Sequence, residues 1–141
     1  MRSEDFFALL RRRTGKTIRA IDDRILSTAA DRVVLVSDAS AFTRRTWDHG
    51  ILQFLTVMTR CYDRLIPLLE KHGGKCQSHN ADNILALFVK AGDAVNAAIA
   101  MQRWQQRYNR GKRPKDQFHI CIGINAGPLV LLRDNVFGGT V

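Results

Sequence analysis

No apolar run in the chain approaches the roughly 20 residues that a bilayer-spanning helix needs, so no membrane span is expected. The N-terminal stretch MRSEDFFALLRRR places its basic cluster after its apolar residues, and no small-residue cleavage site follows. That pattern excludes a secretory signal peptide. Cysteine is scarce: Cys61, Cys76 and Cys121 are the only three, widely spaced and without a CxxC pair. An odd, scattered set reads as reduced thiols of a cytoplasmic protein, serving as small buried hydrophobes. The four histidines, His49, His72, His79 and His119, form no HxH or HxxxH set, which argues against a histidine metal site. Internal repeats and low-complexity segments are also absent.

What is present describes a folded domain. A length of 141 residues fits one domain, and 45% hydrophobic with 25% charged residues is ordinary for a folded protein. At this size about two-thirds of the unfolded chain's surface can be buried, so no disulfide or metal staple is required. The net charge of +9, from 22 Lys and Arg against 13 Asp and Glu, attracts polyanions such as a nucleotide's phosphates, nucleic acid or an acidic membrane.

Residues 1–30 read as a helical lead-in. Ser3 is placed to cap a first helix, with Glu4 and Asp5 in its first turn and Arg11 to Arg13 near its end. Ile18, Ile21 and Ile25 fall at helical spacing in a second. Helices this short need a partner surface. That surface is either the rest of this chain or, in a functional reading, a dimer contact or a connector to another protein.

Residues 31–141 alternate strands and helices. Arg32 to Ser37 (RVVLVS) reads as a buried strand ending at Asp38. From Trp47 to Leu69 one apolar face recurs at Ile51, Leu52, Leu55, Met58, Tyr62, Leu65, Leu68 and Leu69, predicting a long helix that Pro67 should kink or interrupt. His72-Gly73-Gly74 ends it. Strands follow at Lys75 to Asn80 and Ile84 to Val89, with Asp82 in the turn between them. A second helix begins near Asp93, carries Ala94, Ala97, Ala98, Met101, Trp104 and Tyr108 on one face, and ends in a basic stretch from Arg103 to Lys115. Phe118 to Ile124 alternates as a strand, Gly127 and Pro128 break it, and Leu129 to Leu132 resumes as another.

The order β-α-β-β-α-β predicts an α+β protein with a ferredoxin-like split βαβ sheet and helices on one face. The first strand is expected to be central and antiparallel to the second. Its end should then meet the hairpin turn at one edge, bringing Asp38 and Asp82 together. Two carboxylates there could hold one or two divalent cations, and the tight strand-to-helix turn of Ala39, Ser40, Ala41, Phe42 and Thr43, with its free backbone amides and the helix N-terminus after it, suits phosphate. The competing reading of the same residues is that two aspartates near turns are turn formers or helix caps. The basic stretch from Arg103 to Lys115 could contact nucleic acid, but no aromatic-basic motif interleaves the sheet, and cations suit a helix C-terminus.

Five segments in order carry a resemblance to a known family. VLVSDASAFTRRT resembles the first signature of the class III nucleotidyl cyclases, the adenylate and guanylate cyclase catalytic domain, with Asp38, Phe42 and Thr43 at matching places. HGGKCQSHNADNILALF is similar to the family's stretch from the Gly-Gly turn through Asp82 to Phe88. GDAVNAAIAMQRW resembles the alanine-rich helix that follows, GINAG the family's Gly-Ile-x-x-Gly, and FGGTV the start of the loop-and-helix signature.

The resemblance implies that Asp38 and Asp82, with the carbonyl of Ala39, hold two Mg2+ or Mn2+ ions. Ser40, Ala41, Phe42 and Thr43 would hold the triphosphate. The implied reaction converts a nucleoside triphosphate to a 3′,5′-cyclic nucleotide and pyrophosphate, in signal transduction, with the site shared between two copies or with a cyclase-like partner subunit. Ser78 and Asn135 stand where adenylate cyclases carry a purine-reading lysine and its acidic partner. Ala41 and Ala81 stand where the family usually has Gly. The family's transition-state asparagine and arginine fall beyond Val141, which implies that the catalytic domain is incomplete at that end of the chain. These departures support the alternative of a catalytically degenerate homologue that binds a nucleotide or a protein partner.

Overall fold

The computed structural model describes residues 1–40, 42–80 and 82–141, and the side chains of 42, 43, 45 and 46 are not among what it describes. Two compact units form, residues 1–32 with 125–141 and residues 33–124. Five strands, β1 (Ala29–Ala39), β2 (Lys75–His79), β3 (Asn83–Phe88), β4 (Ile120–Leu131) and β5 (Val136–Phe137), are ordered β2-β3-β1-β4-β5. The first four have the order of a split βαβ sheet.

In the unit of residues 33–124, β1 runs antiparallel to β3, in register from Val33 opposite Phe88 to Asp38 opposite Asn83. β2 is also antiparallel to β3. Two reversals make β1 and β2 point the same way, which corrects the expectation that the first strand opposes the second. Its antiparallel neighbour is the third. A bulge between Cys76 and Ser78 shifts the β2–β3 register, so that Cys76 faces Ala86 and Ser78 faces Leu85.

Alternation along β1 and β3 sends Val33, Leu35, Ser37 and Ala39, with Ile84, Ala86 and Phe88, into one core. Helix α4 (Ile51–Lys71) covers it with Phe54, Val57, Met58, Cys61, Tyr62, Leu65 and Leu69, a stripe at helical spacing. Helix α5 (Ala91–Asn109) adds Ala94, Ala97 and Met101, whose small alanines suit close packing. Gln105 is buried beside them and accepts a hydrogen bond from the Ile120 amide. Asn109 clamps Phe118 twice, donating to its carbonyl and accepting from its amide at 2.9 Å each.

The predicted long helix breaks at Gly50, whose φ of 85° separates α3 (Phe42–His49) from α4. Pro67 leaves α4 continuous. Both Pro67 and Asp63, whose carbonyl loses its partner to the proline, are exposed, so that carbonyl can be hydrated. In the same way β4 runs through Gly127 and Pro128 without a break. Its ladder with β5 involves only Val130 and Leu131, so the missing Pro128 amide removes nothing from that pairing.

In the unit of residues 1–32 and 125–141, helices α1 (Ser3–Arg11) and α2 (Ile18–Leu26) bury Phe6, Leu9, Ile21 and Ile25 with Leu132, flanked by Val130 and Phe137. The Phe6 and Phe137 rings stack at 5.1 Å. Ser3 begins α1 rather than capping it, and its amide donates to the Asp134 carboxylate at 2.7 Å. Among the described residues no helix is long and apolar enough to cross a membrane.

The three cysteines differ. Cys61 is buried, and burial pushes its thiol up to about 11. Cys76 is half-buried and is also raised, by burial and then by Glu70. Cys121 is exposed, against the expectation of a buried hydrophobe, because on β4 it falls on the register opposite to Ile120. Since the thiolate is the reacting species, iodoacetamide at neutral pH should label Cys121 first, Cys76 more slowly, and Cys61 only after unfolding. Peptide mapping by mass spectrometry reads the order. A second prediction concerns the turn into β2. A Cβ on Gly74 would lie 2.5 Å from the Phe88 ring and 3.0 Å from the Leu69 carbonyl. Gly74→Ala should therefore cost about 1–3 kcal/mol in urea unfolding.

Candidate functional site

The β1–β3 ladder continues one step past its last paired strand residues. The Ala39 amide donates to the Asp82 carbonyl at 2.6 Å, tying the end of β1 to the hairpin turn. That turn is closed by the Asn80 amide donating to the Asn83 carbonyl at 2.9 Å. Asp38 stands opposite Asn83, and the Asp82 backbone meets the next residue of β1, Ala39, at the same end of the two strands. Ala39 points into the core, and alternation turns the exposed Asp38 to the other side.

The next residue is fixed from a different direction. The Ser40 amide donates to the His119 carbonyl at 2.7 Å, and Ser40 Oγ lies 2.9 Å from Cys121 Sγ. His119 in turn sits between Phe118 and Ile120, the two residues that Asn109, Gln105 and Gln102 of α5 hold by hydrogen bonds. Helix α5 thus positions the loop after β1 through the segment 118–120. Nothing in the apolar pattern of α5 pointed to these amides. Their only signal is three polar side chains, Gln102, Gln105 and Asn109, next to its apolar stripe.

The donor set suits a hard divalent cation. Two carboxylates with backbone oxygen nearby leave room for the water and phosphate oxygens that magnesium prefers. The ion pairs formed among the described residues, Arg13–Asp22 and Arg44–Asp48, involve neither Asp38 nor Asp82. Asp82 accepts one long bond, from Asn83 Nδ2 at 3.5 Å. Two acids at the same end of the sheet, without a basic partner among the described residues, make a local negative potential that a cation would relieve.

One core residue of α4 packs near the hairpin turn. The Tyr62 ring packs edge-on against His79, which leads into the hairpin turn, and against Phe118, with centroids 6.2 and 5.8 Å away. Its hydroxyl is buried and has no hydrogen-bond partner among the described residues. Burial raises the hydroxyl's pKa, and the negative charges of Asp82 and then Asp38 raise it further, so it keeps its proton.

The remaining expected site residues are distributed as follows. Ser78 is exposed on β2, just after the bulge. Asn135 belongs to the other compact unit, where its side-chain oxygen accepts from the Val136 amide at 2.9 Å and so shapes its own turn. Phe42 and Thr43 open α3. Ala41 and Ala81, and the side chains of Phe42 and Thr43, lie outside the described residues.

No family model matches the chain. It is 26% identical over 106 residues to the serine/threonine-protein kinase pkn2 of Myxococcus xanthus, a match covering 74% of the chain and 13% of that protein. It is 26% identical over 108 residues to the protein named “Putative adenylate cyclase 3” of Rhizobium meliloti (strain 1021), covering 77% of the chain and 18% of that protein. The chain thus spans less than a fifth of the length of these curated relatives. Among solved structures, the adenylate/guanylate cyclase/hydrolase of Silicibacter pomeroyi aligns with a TM-score of 0.71 at 25% identity, over 79% of this chain and 65% of that one. A bacterial light-regulated adenylyl cyclase aligns with a TM-score of 0.71 at 15% identity, over 80% and 66%. The guanylate cyclase domain of RhGC from Catenaria anguillulae, solved in complex with GTP, aligns with a TM-score of 0.64 at 21% identity, over 79% and 68%. The chain has the fold of the adenylyl and guanylyl cyclase catalytic domain.

Proposed function

We propose that this chain is a nucleotidyl cyclase-type domain that takes a nucleoside triphosphate with divalent cations, Mg2+ or Mn2+, at the sheet edge of Asp38 and Asp82. The observation that supports this reading is the Ala39–Asp82 backbone hydrogen bond, which brings the chain segments bearing the two carboxylates to the same end of the sheet. Asp38 and Asp82, with the Ala39 carbonyl, would bind the cations. The turn through Ser40, Ala41, Phe42 and Thr43 would hold the phosphates with its backbone amides. Ser78 would meet the base by hydrogen bonds that it can both donate and accept, which favours no particular purine.

Bound divalent cations would supply neutralisation of the triphosphate and acidification of the ribose 3′-hydroxyl. The reaction is attack of that hydroxyl on the α-phosphorus with release of pyrophosphate. In this reading residues 31–141 are the cyclase domain, the site is completed by a second copy or a cyclase-like partner subunit, and the protein works in the cytoplasm. Residues 1–30 serve as a dimer contact or connector.

A second reading has specific support. Ser78 and Asn135 replace a lysine–acid pair, and the Asn135 oxygen is already engaged in its own turn. A domain of this kind could bind a nucleotide without turning it over.

Calorimetry with ATP, GTP, CTP and UTP in the presence of Mn2+, with products separated in parallel, tests both. The assays use the 141-residue chain. Binding accompanied by a cyclic nucleotide supports catalysis, and Asp38→Asn should then lower turnover by on the order of a hundredfold or more while leaving the melting temperature in place. Binding with no cyclic product supports the second reading. Failure to bind any of the four sinks both.

A further inference from the structure

Helices α4 and α5 bury their apolar stripes in the core, and their outer sides leave a cleft between them. Asp63, Arg64, Pro67, Leu68 and Lys71 of α4 line it on one side and Trp104 of α5 on the other, around about 350 Å3 of space. All six belong to the unit of residues 33–124. Small-ligand sites span about 300–1,000 Å3, so the cleft has room for one ring system and its substituent.

The lining combines three chemistries. Arg64 and Lys71 stand seven residues apart, roughly two helical turns, with Pro67 and Leu68 between them. The ion pairs formed among the described residues involve neither cation, so both are available to an anion. Exposed Arg60 and Arg107, one turn from Arg64 and from Trp104, add to the positive field. Pro67, Leu68 and Trp104 make apolar walls. The indole is already held in place: it stacks on Tyr108 with centroids 5.0 Å apart, and Lys112 Nζ lies 4.1 Å from the centre of the Tyr108 ring. A fixed aromatic surface binds a ring at little cost in side-chain ordering. Finally, Pro67 deprives the Asp63 carbonyl of its helical amide partner, which leaves an acceptor at the cleft.

We propose that this cleft is a binding site for a small aromatic anion, a planar ring carrying one carboxylate. The ring packs against Pro67, Leu68 and Trp104, the carboxylate meets Arg64 or Lys71, and an N–H on the ring meets the Asp63 carbonyl. Asp63 is the one acid of the lining, and its charge disfavours a multiply charged anion such as a triphosphate. None of the lining residues belongs to the sheet edge of Asp38 and Asp82, so this site stands whether or not that edge takes a cation.

The test titrates the 141-residue chain with indole-3-acetate and follows the indole N–H signals in nitrogen–proton correlation spectra. Trp47 and Trp104 are the only tryptophans, and Trp47→Phe assigns the Trp104 signal. Indole-3-acetamide supplies the ring without the charge, acetate the charge without the ring, and a hexaglutamate peptide the charge of an acidic protein segment. The expected result is a saturable shift of the Trp104 signal with indole-3-acetate, affinity about tenfold weaker for the amide, and no shift with acetate. The double variant Arg64→Gln, Lys71→Gln should bind indole-3-acetate about tenfold or more weakly with its melting temperature unchanged, because both side chains are exposed. The site is overturned if indole-3-acetate leaves the Trp104 signal in place, if the amide binds equally well, or if the folded double variant keeps the full affinity. A Trp104 shift with hexaglutamate and none with indole-3-acetate also overturns it, in favour of a surface for an acidic protein.

Discussion

The hydrogen bond from the Ala39 amide to the Asp82 carbonyl is the constraint on which the candidate site depends. It is the last rung between β1 and the β2–β3 hairpin, joining the final residue of β1 to the turn residue just before β3. A one-residue slip of β1 against β3 would exchange the faces of Val33, Leu35, Ser37 and Ala39 with those of their neighbours and move the core into water. The same slip would carry Asp38 away from the turn. Burial of the α4 and α5 stripes therefore enforces the register that brings the segments carrying Asp38 and Asp82 to the same end of the sheet.

The hydrophobic patterns made much of this arrangement legible. The apolar run at β1, the face of α4 and the alternation in β3 are each readable because burial is periodic, and together with the Gly-Gly turn they fix the order of elements. The errors came from reading punctuation without its surroundings. Pro67 and Pro128 look like interruptions, yet each falls where a missing amide is tolerated, on the exposed side of α4 and outside the short β4–β5 ladder. Gly50 does break the helix, through a backbone angle that other residues seldom adopt. The direction of β2 relative to β1 was misread because it follows from counting reversals through β3, and only the pairing reveals which strand is the neighbour.

Polar contacts over long sequence distances were the least legible part. Asn109 and Gln105 read as ordinary helix polar residues, but they grip residues 118 and 120 and so hold the His119 carbonyl on which the Ser40 amide rests. Tyr62 read as one apolar position in a stripe, and its hydroxyl drew no notice because periodicity scores the ring alone. Helical spacing says which side of a helix is buried. It does not say which buried atom lacks a partner, and that becomes visible only when the hydrogen bonds are accounted for one by one.

Charge separates two requirements that composition merges. The chain's +9 draws anions from a distance, a field effect that is screened within about 8 Å at physiological ionic strength. At the sheet edge the balance reverses, because Asp38 and Asp82 would repel a triphosphate that arrived alone. A cation bound between the acids and the phosphates satisfies both fields at once. In the proposed function the two acids would select for an anion that brings, or meets, a divalent metal, and would discriminate against the many polyanions that the overall charge would otherwise attract. In the proposed function that local reversal, rather than the excess of basic residues, distinguishes a nucleotide–metal complex from nucleic acid.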